Sequence, residues 1–203
     1  MKLHYSQTSP YARKAMVVAH ERGLADQIEL MPATTSPIEP NANIVRDNPL
    51  AKIPSLTLDD GSTLYDSRVI AEYLDALAGA KLFPPSGPNR WTALRQQALA
   101  DGLLDAAILI RYERVLRPEE KKWPEWVDGQ FGKMRRALDA FESEAASFEK
   151  TLTIGPIAAA CALGYLDFRF GDLNWRASRA RLTSFYAKFS ERPSMMATKP
   201  PES

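Results

Sequence analysis

The sequence predicts an α/β domain followed by an all-helical domain, and three features indicate this division. Residues 1–78 alternate short apolar runs with helical patterns in the order β-α-β, a break, then β-β-α. Residues 79–89 form a linker rich in Pro and Gly. Residues 90–203 carry long helical patterns and no convincing strand pattern. We therefore predict that the domain boundary lies within the linker.

The α/β domain begins with a short strand in the segment MKLHY. A helix is predicted from Pro10 to Arg22, because Ser9 is a favourable N-cap and proline is tolerated at the first helical position. Gly23 follows as a C-terminal stop. The chain therefore starts with a strand and a helix in direct succession.

Three further strands are predicted in the middle of the α/β domain. The segment QIELM is the second strand of the domain. The stretch from Pro32 to Pro49 is rich in Pro and Asn and cannot form one long helix. The segments IPSLTL and STLYD flank Asp59-Asp60-Gly61, which is the sequence of a tight hairpin. These segments complete the strands of the predicted sheet.

The remaining elements are helices. Asp66 or Ser67 caps a helix whose apolar residues fall at helical spacing, namely Val69, Ile70, Tyr73, Leu74 and Leu77. Beyond the linker, helical patterns cover residues 90 to about 116, about 123 to 148, 157 to 170 and 180 to about 190. Thr153 can cap the third of these helices. A capping box would require a side chain at position 156 that accepts a hydrogen bond from the backbone amide of the N-cap residue, and that position is occupied by Pro156.

Charge and composition exclude several classes of protein. The 203-residue chain has 26 basic and 25 acidic residues, so its net charge of +1 indicates neither a nucleic-acid nor an anionic-membrane partner. No segment reaches about 18 uncharged apolar residues, which argues against a membrane span or a signal peptide. The single cysteine, Cys161, lies in an apolar run and predicts a buried, inert thiol. We expect a cytoplasmic protein.

Five segments, in order along nearly the whole chain, resemble bacterial cytosolic glutathione S-transferases: TSPYARKA, NPLAKIPSL, LYDSRVIAEYLD, ALADGLLDAAI and AAACALGYLDFR. The resemblance implies a thioredoxin-like N-terminal domain that binds glutathione as co-substrate. It also implies an all-α C-terminal domain that carries the pocket for a second, electrophilic substrate. The family usually forms homodimers, so a homodimer is expected here. No nucleic acid, membrane or metal is implied.

The first motif, TSPYARK, is similar to the C-P-Y-C redox motif of glutaredoxins, with Ser9 and Ala12 in place of the cysteines. In the family, the residue that matches Ser9 donates a hydrogen bond to the glutathione thiolate, so the resemblance assigns the catalytic role to Ser9. The residues by themselves also allow Ser9 to be a plain N-cap, worth about 1 kcal/mol. Thr8 and Tyr5 are alternative donors of the hydroxyl.

The second motif is Lys52-Ile53-Pro54. The resemblance implies that Pro54 follows a cis peptide bond and that the backbone of Ile53 pairs with the cysteinyl part of glutathione, as an added strand would. Lys52 would reach the glycyl carboxylate. The alternative is a trans proline at the first residue of a strand, where no donor to the ladder is required.

The third motif is Asp66-Ser67. Its helix N-terminus suits the α-carboxylate of the γ-glutamyl group, with the Ser67 hydroxyl as a further donor and Asp66 accepting from the ammonium. Simple helix capping is the alternative. The three motifs together predict a peptide-shaped binding site.

The second-substrate pocket is predicted at Tyr11, Ile108 and Tyr112, although core packing is an alternative for these side chains. On the first long helix, one face carries Asp101, Asp105, Ile108 and Tyr112, and Arg111 lies nearby. Two carboxylates four residues apart can serve acid–base chemistry, but a polar helix face is the commoner arrangement.

Two functions follow from these motifs. The first is a glutathione transferase that conjugates the glutathione thiolate to small electrophiles, a detoxification activity. The second is a non-catalytic module of the same fold that binds glutathione or another ligand. The presence of a hydroxyl rather than a thiol at Ser9 argues against a disulfide reductase.

Overall fold

A computed structural model describes residues 1–201 of the chain, which fall into two compact units. The first unit comprises Met1–Arg90 together with the C-terminal segment that begins at Glu191. The second unit comprises Trp91–Ser190. The first has a sheet and helices, and the second contains helices and no strand, so the predicted fold class is confirmed.

The first unit is built on a four-stranded mixed sheet in the order β2-β1-β3-β4. Its strands are β1 (Lys2–Tyr5), β2 (Glu29–Pro32), β3 (Ser55–Thr57) and β4 (Thr63–Leu64). β1 runs parallel to β2, whereas β3 is antiparallel to both β1 and β4. The Leu58 amide donates to the Ser62 carbonyl across the hairpin, where Gly61 adopts a φ of +85°. The strand order and the hairpin agree with the sequence pattern.

The α-helices of the described chain are α1 (Pro10–Glu21), α2 (Ala42–Asp47), α3 (Ser67–Leu77), α4 (Gly87–Val115), α5 (Pro124–Phe148), α6 (Ile154–Arg169), α7 (Ala180–Ser190) and α8 (Pro193–Ala197). Short 3-10 segments cover Ala25–Gln27, Glu119–Lys121 and Gly171–Leu173. The core of the first unit forms where α1 packs on α3 and α3 packs on β3. Its fully buried residues include Leu3, Val17, Leu56, Ile70 and Leu74.

A buried carboxylate organises the predicted linker. Asp75, near the end of α3, is fully buried and accepts hydrogen bonds from the amides of Lys81, Leu82 and Phe83 at 2.9–3.0 Å. Arg22 Nε lies 2.8 Å from the same carboxylate. The carboxylate therefore ties the start of the linker to the ends of α1 and α3.

The C-terminal segment packs on the first unit, which differs from the predicted division of the chain at residues 90–203. Arg192 donates to both oxygens of Glu21 at 2.9 and 2.7 Å, and the Ser194 hydroxyl donates to the same carboxylate. The buried Arg13 donates to the Met195 carbonyl at 3.0 Å. These contacts join residues more than 170 positions apart, so no local sequence pattern predicts them.

Acid is expected to weaken the attachment of the C-terminal segment. The hydrogen bond from Arg192 holds the pKa of Glu21 below its usual value, against the effect of burial, and the Ser194 hydroxyl adds to this. The stabilisation that the Glu21 carboxylate contributes is therefore complete above about pH 4.3, the pKa of a glutamate in the unfolded chain. It is lost as the pH falls through the lower pKa that Glu21 has in the folded protein. We expect Glu21→Gln to lower the free energy of unfolding by about 1–3 kcal/mol at pH 7. That difference should shrink towards pH 3.

Urea unfolding at several pH values measures this effect. Glu29→Gln is the matched control, because Glu29 is exposed on β2 and its variant should unfold like the wild type. A Glu21→Gln difference that stays constant from pH 7 to pH 3 would contradict the assigned role of the Glu21 charge.

The second unit has α6 at its centre. Every residue from Ile154 to Leu166 is buried, and Cys161 is a fully buried free thiol, as the sequence predicts. α6 begins at Ile154 rather than Ile157, so Pro156 lies within its first turn, where no intrahelical donor is needed. Thr153 occupies the N-cap position but makes no side-chain capping bond, so the expected side-chain cap is wrong. None of the helices in residues 1–201 combines the length and the apolar character that crossing a bilayer requires.

Candidate functional site

The three predicted motifs lie at one end of the sheet because of the strand register. β3 is antiparallel to β1 with Ser55 opposite His4, and β4 is antiparallel to β3 with Leu64 opposite Leu56. The residues that follow β1, precede β3 and follow β4 therefore lie at the same sheet end. These residues are Ser9, Lys52-Ile53-Pro54 and Asp66-Ser67.

Ser9 is the N-cap of α1. It has an extended backbone, and its Oγ accepts a hydrogen bond from the Ala12 amide at 3.2 Å. The capping prediction is thus confirmed. A hydroxyl that accepts through its oxygen keeps its own proton, so Ser9 can still donate to an anion beyond the helix end.

The two alternative hydroxyls are placed differently. Tyr5 is only 9% exposed, and burial raises the pKa of its phenol against the lowering effect of Arg13. Thr8 is half-buried, and its Oγ1 lies 3.1 Å from the Oγ of Ser6. Ser6 also accepts from the Thr8 amide at 3.4 Å, so it organises the turn that leads into α1. Sequence reasoning missed Ser6, because a lone serine in a polar turn has no distinguishing signal.

The second motif is presented by a loop that a buried amide holds in place. Asn48 is 2% exposed; its Nδ2 donates to the Lys52 carbonyl at 2.8 Å, and its Oδ1 accepts from the Leu50 amide at 3.0 Å. The Ile53–Pro54 bond is cis, as predicted. Lys52 is exposed, Ile53 is half-buried and Pro54 is buried. Asn48 was not among the predicted site residues, although its position before Pro49 is a common turn signal.

The third motif is the N-terminus of α3. Asp66 is its N-cap, exposed, with Oδ1 accepting from the Arg68 amide at 2.9 Å. Ser67 is the first residue of α3 and is 2% exposed. The choice between Asp66 and Ser67 as cap is thereby decided in favour of Asp66. Its second carboxylate oxygen is not needed for capping.

The electrostatics of this sheet end favour an anionic ligand. The N-termini of α1 and α3 both face it, and each helix start carries unpaired amides and partial positive charge. The exposed ammonium of Lys52 adds a full charge, and Asp66 supplies one carboxylate for a ligand cation. A zwitterionic peptide with more than one carboxylate fits this distribution of charge. Within residues 1–201, no group of three His, Cys, Asp or Glu is arranged to hold a metal ion.

The predicted pocket residues belong to different units and are described separately. Tyr11 lies in the first turn of α1 in the first unit and is half-buried. Ile108 and Tyr112 lie four residues apart on α4 in the second unit, and both are half-buried. Burial raises the pKa of the Tyr112 phenol against the lowering effect of Arg111. On the same helix Asp101 is 1% exposed, whereas Asp105 is exposed.

Family models match both units of the chain. The model described as "Glutathione S-transferase, N-terminal domain" matches residues 8–77, which include all three motifs. The model described as "Glutathione S-transferase, C-terminal domain" matches residues 124–188. The uncharacterized GST-like protein YibF of Escherichia coli K12 is 31% identical over 206 residues, covering 100% of both chains.

Two solved structures are similar over almost the full length. A glutathione transferase family member from Pseudomonas fluorescens Pf-5 with bound glutathione is 49% identical, with a TM-score of 0.96 over 98% of both chains. A structure of a family member from the same organism, with bound S-(propanoic acid)-glutathione, is 47% identical, with a TM-score of 0.91. It covers 99% of this chain and 100% of that chain.

Proposed function

The chain belongs to the glutathione S-transferase family, and on that premise we propose that it transfers the glutathione thiolate to small electrophiles, with Ser9 stabilising the thiolate. The observation that carries the proposal is the convergence of Ser9, Ile53-Pro54 and Asp66-Ser67 at one end of the sheet. The glutathione and S-(propanoic acid)-glutathione bound in the two Pseudomonas structures support the choice of ligand.

Each part of glutathione has a matching group at this sheet end. The backbone of Ile53 pairs with the cysteinyl residue as an added strand. The N-terminus of α3 and Ser67 bind the γ-glutamyl carboxylate, and Asp66 accepts from the γ-glutamyl ammonium. Lys52 binds the glycyl carboxylate. These contacts direct the sulfur towards Ser9 at the N-terminus of α1.

The chemical step is a nucleophilic substitution or addition. The thiol gives its proton to solvent, the thiolate forms a C–S bond, and a leaving group departs with its bonding electrons. At an activated double bond, the π bond opens instead and the adjacent carbon takes up a proton. Positioning of the electrophile contributes more to the rate than thiolate formation does. Ser9 is the catalytic residue, and Tyr11, two residues further along the same helix, contacts the electrophile.

A homodimer is part of the proposal. α3 carries a stripe of apolar side chains at helical spacing, of which Val69 is 46% and Leu77 is 52% exposed, with the half-buried Tyr73 between them. An apolar stripe of this kind is typical of a surface that another protein covers. A cytoplasmic location belongs to the same proposal, since a protein with one buried free cysteine needs no oxidising compartment.

Replacing Asn48 with alanine is expected to weaken glutathione binding by about ten-fold and to lower the free energy of unfolding by about 1–3 kcal/mol. The variant loses the hydrogen bonds that hold Lys52 and Leu50, so the Ile53 backbone is no longer fixed for pairing. Calorimetry and urea unfolding measure the two effects. Asn43→Ala, at an exposed position of α2, is the control. A destabilised Asn48→Ala protein with unchanged glutathione affinity would refute the positioning role.

The function is tested by titrating the wild type with glutathione in a calorimeter, with ultraviolet detection of thiolate and a screen of small electrophiles. Binding with a thiolate signal and turnover is the expected result. Tight binding without turnover of any electrophile would favour a non-catalytic glutathione-binding module. Absence of binding would refute the glutathione hypothesis and leave the fold unaffected.

A further inference from the structure

The short helix α2 is attached to the sheet of the first unit by few side chains. It spans six residues, Ala42–Asp47, and within these six residues Ile44 is the buried one. A helix of this length is not stable by itself, so its position depends on tertiary contacts. The packing of Ile44 by itself would not fix the orientation of α2.

A second contact joins α2 to the sheet, a hydrogen bond between His4 and Asp47. His4 Nε2 lies 2.7 Å from Asp47 Oδ2, and the two side chains are 9% and 16% exposed. His4 belongs to β1 and lies opposite Ser55, the first residue of β3. The bond therefore links the last residue of α2 to the middle of the sheet, across 43 positions of the chain.

Asp47 is the acceptor of this bond. The hydrogen bond from His4 holds the pKa of Asp47 below its usual value against the effect of burial, and Arg46 adds to this. Asp47 is therefore ionised at neutral pH, and His4 Nε2 carries the donated proton. Arg46 Nε also donates to Asp47 at 3.2 Å, but Arg46 is an exposed residue of α2 itself. The bond from His4 is the one that ties Asp47 to the sheet.

α2 ends at Asn48, which connects the helix to the second motif. The Asn48 amide donates to the Ile44 carbonyl at 2.7 Å, as the C-cap of α2. Its side chain bonds to the Lys52 carbonyl and the Leu50 amide, and its carbonyl accepts from the Ala51 amide at 2.9 Å. A single buried residue thus joins the end of α2 to the whole turn that precedes β3.

The turn before β3 depends on these bonds for its shape. Ala51 has a φ of +54°, in the left-handed region that residues with a Cβ rarely adopt. Such a conformation persists where the surrounding structure fixes it. Lys52 and Ile53 follow directly, so a displacement of Asn48 would move the Lys52 ammonium and the Ile53 backbone together.

We propose that the His4–Asp47 hydrogen bond positions the second motif for glutathione. The bond fixes the end of α2, and Asn48 holds Lys52 and Ile53 relative to that end. This inference rests on the proposed function, because it concerns the same ligand. It predicts that the pair affects the cysteinyl-glycyl half of glutathione and not the γ-glutamyl half, which is bound at the N-terminus of α3.

The test compares glutathione with γ-glutamylcysteine, which keeps the γ-glutamyl group and the thiol but lacks the glycine that Lys52 binds. Calorimetry gives both dissociation constants for the full-length wild type, Asp47→Ala, His4→Leu and the double variant. Each single variant is expected to bind glutathione about ten-fold more weakly and γ-glutamylcysteine less than about three-fold more weakly. The double variant should bind glutathione no more weakly than the single variants, because both substitutions break the same bond.

Controls separate positioning from stability. Asp47→Asn keeps a side-chain oxygen that accepts from His4, so it should bind glutathione within about two-fold of the wild type. Asn43→Ala, at an exposed position of α2, should leave both affinities unchanged. If Asp47→Ala does not fold, the two affinities of His4→Leu and the rescue in Asp47→Asn decide the question.

Three results would overturn the inference while the proposed function stands. These are equal losses for the two ligands, losses that add in the double variant, and an Asp47→Asn protein without rescue. Absence of glutathione binding by the wild type would overturn both the inference and the proposed function.

Discussion

Replacing Asp75 with alanine is expected to lower the free energy of unfolding by about 3–5 kcal/mol. The substitution leaves three linker amides without an acceptor and the Arg22 guanidinium without its counter-ion. The Arg22 side chain is 8% exposed and the Asp75 side chain 1%, so water does not readily replace the lost partner. Removing one member of a buried ion pair costs far more than removing an exposed charge.

Urea denaturation followed by circular dichroism measures this loss. Asp26→Ala is the control, because Asp26 is exposed in the same unit and its variant should stay within about 0.5 kcal/mol of the wild type. Replacing Arg22 with methionine in the Asp75→Ala background removes the uncompensated charge, and part of the stability should return. An Asp75→Ala protein that loses less than about 1 kcal/mol would contradict the role assigned to this carboxylate.

Replacing Ser9 with alanine is expected to reduce the ionised fraction of bound glutathione by about 25-fold at pH 7. A thiol with a pKa of about 8.5 is about 3% ionised at this pH, and a stabilisation of about two units makes it about 75% ionised. The variant also loses the N-cap bond to the Ala12 amide, at a cost of about 1 kcal/mol in stability. The ultraviolet signal of the thiolate, measured with glutathione saturating each protein, tests the expectation.

Turnover should respond far less than the thiolate signal. A thiolate with a lower pKa is also a weaker nucleophile, and a Brønsted slope of about 0.45 leaves a net gain of about three-fold from the same shift. Thr8→Ala is the matched control, because it removes a neighbouring hydroxyl that bonds to Ser6 and leaves the α1 cap in place. A thiolate signal lost in Thr8→Ala and kept in Ser9→Ala would assign the role to Thr8. If both variants keep the thiolate signal and conjugate as fast as the wild type, the assignment of thiolate stabilisation to Ser9 fails.

Much of the first unit follows from signals that act over a few residues. Ser9 and Asp66 cap their helices through amides two or three positions away, and Gly61 provides the positive φ of the hairpin. The sequence also predicts the four strands and the helical character of the second unit, because apolar periodicity reflects the burial of one face. Each of the three site motifs is common by itself. Together they predict a site because they occur in the same order as in the family that the chain resembles.

The positions that sequence reasoning missed depend on partners that are distant along the chain. Arg22 meets Asp75, and Arg192 meets Glu21 across 171 positions, which places the C-terminal segment on the first unit rather than the second. Local sequence determined where helices and strands begin, because caps and turns are satisfied by near neighbours. Only the tertiary structure decided which buried charges are compensated, because that depends on which distant segments meet.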